Sequence, residues 1–133
     1  MKKYFSLLIT LTLTIVQAER LSYNATEGTL ISVDVSPDGK QLAFDLLGHI
    51  YTMSISGGKA EAITKGTSWN MYPRYSPDGK KLMFTSDRSG SDDLWVYDLY
   101  SAEMTNVTKM ELPVHQGTWS TDGRHVFGTA LNM

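Results

Sequence analysis

The residues of this chain with chemistry to offer are three histidines, one stretch rich in serine and aspartate, and an aspartate that recurs in a fixed pentapeptide. His49, His115 and His125 are potential zinc ligands, but a zinc or binuclear site needs several ligands that converge, usually visible as His-x-His or a similar spacing. Each histidine stands alone. The run Ser86-Asp87-Arg88-Ser89-Gly90-Ser91-Asp92-Asp93 offers hydroxyls for nucleophilic attack and, in Asp87, Asp92 and Asp93, hard oxygens for calcium. It has neither a nucleophile elbow nor the full spacing of a calcium loop, and reads as a solvated hairpin. The chain has no cysteine, which excludes disulfides, thiolate metal sites, a cysteine nucleophile and a lipidated amino-terminal cysteine. No catalytic, cofactor-binding or metal-binding residue is expected in this chain.

The recurring aspartate reveals the organisation. Ser36-Pro37-Asp38-Gly39-Lys40 returns as Ser76-Pro77-Asp78-Gly79-Lys80 and again as Ser120-Thr121-Asp122-Gly123-Arg124, at spacings of 40 and 44 residues. The four extra residues fall between Ser86 and Asp93. Elsewhere the register holds: Tyr51 to Ser76 and Trp95 to Ser120 are both 25 residues. Proline presets the first central position of a type I turn, aspartate bonds the backbone that follows it, and glycine accepts a positive φ. Asp38, Asp78 and Asp122, with Ser36, Pro37, Gly39, Ser76, Pro77, Gly79 and Gly123, are therefore expected to be structural turn residues.

Around these corners the chain alternates β-branched and aromatic residues with polar ones at period two, without helical periodicity after the first eighteen residues. The spacing predicts strands at Leu30 to Val35, Gln41 to Leu46, His49 to Ile55 and Ala60 to Lys65. A second set is predicted at Met71 to Tyr75, Lys81 to Ser86, Leu94 to Leu99 and Met104 to Lys109, followed by Val114 to Trp119 and His125 to Leu131. Four-stranded units of about forty residues that cannot bury both faces alone are blades. The expected fold is all-β, a partial β-propeller of about two and a half blades over 19–133. The blades span about 27–66, 67–110 and 111–133, the last truncated. Residues 20–24 align with the fourth strand of a unit and are expected to act as an amino-terminal closure strand.

Residues 1–18 have the parts of a secretory signal: Lys2 and Lys3, an apolar stretch from Phe5 to Val16, and small residues ending at Ala18. The apolar stretch is too short to span a bilayer, which takes about 20 residues. Cleavage after Ala18 would place the remainder outside the cytoplasm, with the bacterial periplasm expected and no membrane contact after leader removal. Net charge is −2, or −4 once Lys2 and Lys3 are gone, so no basic field favours nucleic acid. The sequons at Asn24 and Asn106 are read as strand residues.

The corners and the strands that follow them resemble the TolB-type propeller repeats, also called WD40-like or PD40 repeats, over about Leu21 to Met133. The resemblance implies a propeller, and the repeat occurs in periplasmic TolB, in tricorn-type and prolyl-oligopeptidase-type peptidases, and in secreted amidohydrolases. Glu27-Gly28-Thr29, Ser32 to Pro37 and Phe44 to Tyr51 look most like the start of the amidohydrolase group's propeller, except that His49 stands where that group more often has aspartate. TolB itself carries an α/β domain before its propeller, and here blades follow the leader almost at once. The resemblance implies a non-catalytic scaffold or recognition segment of a periplasmic or secreted amidohydrolase-type hydrolase, whose metal would lie elsewhere in the parent. The alternatives are a TolB-like module docking envelope proteins and the gate of a secreted peptidase. Expected partners are the remaining blades, a downstream catalytic domain and envelope proteins. Length varies only in the loops between second and third strands and between units, which emerge on one face. Trp69, Asn70, Met71 and Arg88 on that rim are the candidate recognition residues.

Overall fold

The computed structural model describes residues 30–130; the expected leader, cleavage site and closure strand lie outside the described residues. Among the described residues, ten strands form three antiparallel sheets. The first is β1 (Val33–Val35), β2 (Gln41–Leu46), β3 (His49–Ser54) and β4 (Glu61–Ala62), paired in chain order. The second repeats it with β5 (Asn70–Tyr75), β6 (Lys81–Ser86), β7 (Asp93–Asp98) and β8 (Met104–Asn106). The third consists of β9 (Val114–Trp119) and β10 (Val126–Ala130). The fold is a partial all-β propeller.

The core lies between the blades. Ala43 of the first sheet packs with Tyr75 and Leu82 of the second, flanked by Ile63 and Tyr97. Met83 and Leu94 of the second pack with Val114 of the third, flanked by Val96, Trp119 and Val126. Alternate side chains of a strand point to opposite faces, so neighbours on β6 serve different interfaces: Leu82 faces one blade and Met83 the other. This is why Lys81-Leu82-Met83-Phe84-Thr85-Ser86 is buried from its second residue onward. Gly117 and Gly128 make room for this packing. A Cβ on Gly117 would sit 2.8 Å from Leu94 Cδ1, and one on Gly128 would sit 2.5 Å from Val114 Cγ1.

Each corner is built alike. Ser36 Oγ donates to Asp38 Oδ1 at 2.6 Å and accepts from Gln41 N at 2.9 Å, while Lys40 N donates to Asp38 Oδ1 at 3.1 Å. Gly39 N closes the turn on Ser36 O at 2.8 Å, with a Gly39 φ of 71°. The Ser76 and Ser120 corners repeat these contacts, with φ of 70° at Gly79 and 69° at Gly123. The glycines also have a second role, across the blade boundary. A Cβ on Gly79 would lie 3.3 Å from Pro37 Cδ, and one on Gly123 would lie 3.5 Å from Pro77 Cδ, so each proline abuts the glycine of the next corner.

These corners carry an expected pH dependence. The serine hydroxyl, then the Lys40, Lys80 or Arg124 main-chain N–H, holds the carboxyls of Asp38, Asp78 and Asp122 below the ordinary 3.8. Native values below unfolded ones mean that this stabilisation is fully present above about pH 4 and is lost as pH falls through the depressed native values. A melting temperature recorded from pH 7 to pH 2 should fall mainly below about pH 4. Asparagine at all three positions should flatten that acid limb; an unchanged limb would remove these carboxylates from the account.

The fourth strands are shorter than expected, Glu61–Ala62 and Met104–Asn106 in place of stretches reaching Lys65 and Lys109. A side chain replaces the ladder there. Thr64 Oγ1 accepts from Ile50 N at 2.9 Å, and Thr108 Oγ1 accepts from Leu94 N at 3.0 Å. The first strand is also shorter, Val33–Val35, although Asp45 N still donates to Ser32 O at 3.1 Å. His125, expected to open the last strand, belongs to the corner instead, with its N–H on Ser120 Oγ at 2.9 Å.

Candidate functional site

Two features set up the rim formed by the loops between second and third strands and between blades. The first is the two-residue turn from β2 to β3, where Leu47 (φ 52°) and Gly48 (φ 77°) are both left-handed, as a type I′ hairpin demands. Leu47 is 52% exposed, a large apolar side chain displayed on a backbone it does not favour. The second is the 67–70 connection between blades. Trp69 N donates to Asp87 Oδ1 at 2.8 Å, and the indole ring lies against Gly48, where a Cβ would come within 2.8 Å of Trp69 Cε3. Trp69 remains 55% exposed.

Beneath Trp69 the chain is tied down by Asn70, which is fully buried. Its amide nitrogen donates to Gly48 O at 2.7 Å and Ser68 O at 2.8 Å, and its amide oxygen accepts from Arg88 Nη2 at 2.7 Å. Arg88 turns inward. Its Nε donates to Ser86 Oγ at 3.0 Å, it contacts the Met104 sulfur, and its guanidinium lies 5.5 Å and 5.0 Å from the ring centroids of Phe84 and Trp95. Burial draws its pKa below the ordinary value, opposed by the charge of Asp87. The four candidate recognition residues thus divide in their placement. Trp69 faces outward and Met71 is half-buried, whereas Asn70 and Arg88 hold the rim from inside, because a loop between blades must satisfy its backbone in both. Together Leu46, Leu47, Gly48, Trp69, Met71 and Tyr72 frame a notch of about 370 Å³.

Asp45, not singled out by its sequence context, sits under this notch and is 7% exposed. Its Oδ1 accepts from Ser32 N at 3.1 Å in its own blade, and its Oδ2 accepts from Tyr72 N at 2.8 Å in the next. The Tyr72 amide is free because β5 bulges there, with a register shift between Met71 and Arg74 and a φ of 59° at Tyr72. The only sequence signal is an acidic residue amid apolar neighbours in a strand.

The stretch from Ser86 to Asp93 is more firmly anchored than a solvated hairpin. Asp93 is 3% exposed and accepts from Ser89 Oγ (2.6 Å), Asn106 Nδ2 (2.9 Å) and Thr108 Oγ1 (2.8 Å). Burial opposes its ionisation, but these hydrogen bonds together leave its carboxyl below the ordinary value. Asp87 holds Trp69, and Asp92 Oδ2 lies 3.2 Å from His115 Nδ1. The three carboxylates thus have three different partners, and among the described residues no three metal-ligating side chains cluster. His49 packs edge-on against Tyr51. The Asn106 amide donates to Asp93 Oδ2. No helix among the described residues is long and apolar enough to cross a membrane.

Comparison with known proteins places this geometry. The family described as PD40, TolB beta propeller domain, matches residues 8–132. Among solved structures, TolB from Acinetobacter baumannii superposes with a TM-score of 0.67 at 30% identity, covering 79% of this chain and 27% of that one. A candidate TolB from Agrobacterium tumefaciens gives 0.72 at 26% identity, covering 80% of this chain and 40% of that one. The uncharacterized peptidase YuxL of Bacillus subtilis is 28% identical over 105 residues, which is 71% of this chain and 16% of YuxL. The chain thus spans well under half the length of each of these relatives.

Proposed function

The chain belongs to the TolB β-propeller family, and from that premise we propose that it is the non-catalytic recognition segment of an exported hydrolase, working in the bacterial periplasm. The observation that carries this reading is the rim notch, where Trp69 and Leu47 are exposed yet held in fixed positions by Asp87, Gly48 and the buried Asn70. Preorganised aromatic and aliphatic anchors recognise a partner at low entropic cost. The amidohydrolase assignment of the parent rests on the likeness of Glu27 to Tyr51 to that group's propeller. A peptidase parent is the second reading, favoured by the match to YuxL. In either parent the blades select or admit substrate, and the chemistry belongs to another domain.

The test uses the full-length parent with a macromolecular substrate and a small one. Trp69→Ala should lower kcat/KM for the large substrate by about tenfold or more, the loss expected of one interface anchor, and leave the small substrate unaffected. Equal rates on both substrates would remove the rim from recognition.

A further inference from the structure

Asp45 places a carboxylate at the base of the rim notch, where every other described lining residue is uncharged. It is 7% exposed and is held by N–H donors alone, Ser32 N on Oδ1 and Tyr72 N on Oδ2. An ionised carboxylate offers about four lone-pair sites, so acceptor capacity remains on both oxygens. Among the described residues no lysine, arginine or histidine lies within ion-pair distance of it. Buried charges are ordinarily paired, and main-chain amides carry no net charge to balance this one.

The walls select the shape of the counter-charge. Trp69 and Leu47 stand out into solvent on either side, with the half-buried Met71 and Tyr72 beside them. A bare metal ion would leave these apolar surfaces uncovered and takes more oxygen ligands than one carboxylate supplies. A lysine or arginine side chain meets both demands, because its methylene stem packs along apolar surface while its head carries the charge. Aromatic faces attract such a head, tryptophan most strongly, and the indole of Trp69 shares the notch with the carboxylate. At about 370 Å³ the notch is at the small end of ligand pockets, which suits one inserted side chain.

Resting on the reading of this rim as the recognition surface, we infer that the notch receives a lysine or arginine side chain of a polypeptide partner, with the Asp45 carboxylate as its counter-ion and Trp69 as its wall. The two residues then do different things. Trp69 supplies contact area to any apolar stem, whereas Asp45 discriminates by charge, as electrostatic complementarity does at interfaces generally.

The test measures binding of the full-length parent, by surface plasmon resonance, to blocked alanine pentapeptides with lysine, arginine, norleucine or glutamate at the centre. Norleucine keeps the apolar stem and removes the charge. The lysine or the arginine peptide should bind with a Kd of about 1 mM or tighter, and about tenfold more tightly than norleucine. Added salt should narrow that preference. Asp45→Asn should bring the basic peptides to within about twofold of norleucine, and Trp69→Ala should weaken the lysine, arginine and norleucine peptides alike by about fivefold. Because Asp45→Asn also lowers stability, the peptide series on the unaltered protein decides the charge preference by itself. Norleucine bound as tightly as the basic peptides would overturn the inference and leave the rim as a recognition surface. Silence from every peptide, while Trp69→Ala still lowers kcat/KM for the large substrate, would do the same; silence with unaffected kinetics would remove both. A preference for lysine or arginine that persists in folded Asp45→Asn would also overturn it.

Discussion

Replacing Asp45 with alanine is expected to remove about 3–5 kcal/mol of unfolding free energy, because two main-chain amides in different blades lose one charged acceptor, each such bond being worth about 1.5–3 kcal/mol. Ser32 N and Tyr72 N are the donors, and neither has a ladder partner to fall back on. Domains are commonly stable by only about 5–15 kcal/mol, so this one change removes a large share. Asp45→Asn keeps one acceptor atom but turns an NH₂ toward the second amide, and should recover less than half of the loss. Urea unfolding followed by tryptophan fluorescence measures both variants. A loss under about 1 kcal/mol for Asp45→Ala would mean that the Tyr72 bulge does not depend on the carboxylate.

Arg88 is expected to be nearly as costly, and its replacement by lysine to give little relief. The guanidinium bonds Asn70 Oδ1 with one nitrogen and Ser86 Oγ with another while lying over Phe84 and Trp95. An ammonium cannot reproduce that planar fork. We expect Arg88→Ala to destabilise by about 3 kcal/mol and Arg88→Lys by about 2 kcal/mol, since each strands the buried Asn70 oxygen and loses aromatic contact. Loss of the clamp should also free the 67–70 connection, so hydrogen exchange at Trp69 and Asn70 should quicken in both variants. Exchange unchanged at those amides would show that Gly48 and Asp87 hold the loop without Arg88.

What could be read from the residues was what forms locally. The corners are closed by contacts within five residues, so Ser36 to Gln41 announces its own structure, and the apolar run Leu82-Met83-Phe84 announces a strand covered on both sides. The contacts that shape the rim span greater distances. Asp45 reaches Tyr72 across 27 residues, Asn70 reaches Gly48 across 22 and Arg88 reaches Asn70 across 18. Each depends on how adjacent blades abut and on a bulge at Tyr72 that no side-chain pattern encodes. For the same reason Asn70 and Arg88, polar residues in variable loops, read as candidate recognition residues, although their side chains turn inward.

The meeting of each corner proline with the next corner's glycine, and of each blade's apolar face with the next, makes the packing between blades in the described residues a packing of immediate neighbours. Such a molecule behaves as a one-dimensional lattice: its free energy is a sum of unit terms and coupling terms between adjacent units, and cooperativity travels along the array. The sheet of β5 to β8 carries two couplings, while among the described residues each outer sheet carries one. Within the described residues the central sheet is therefore the most strongly coupled unit.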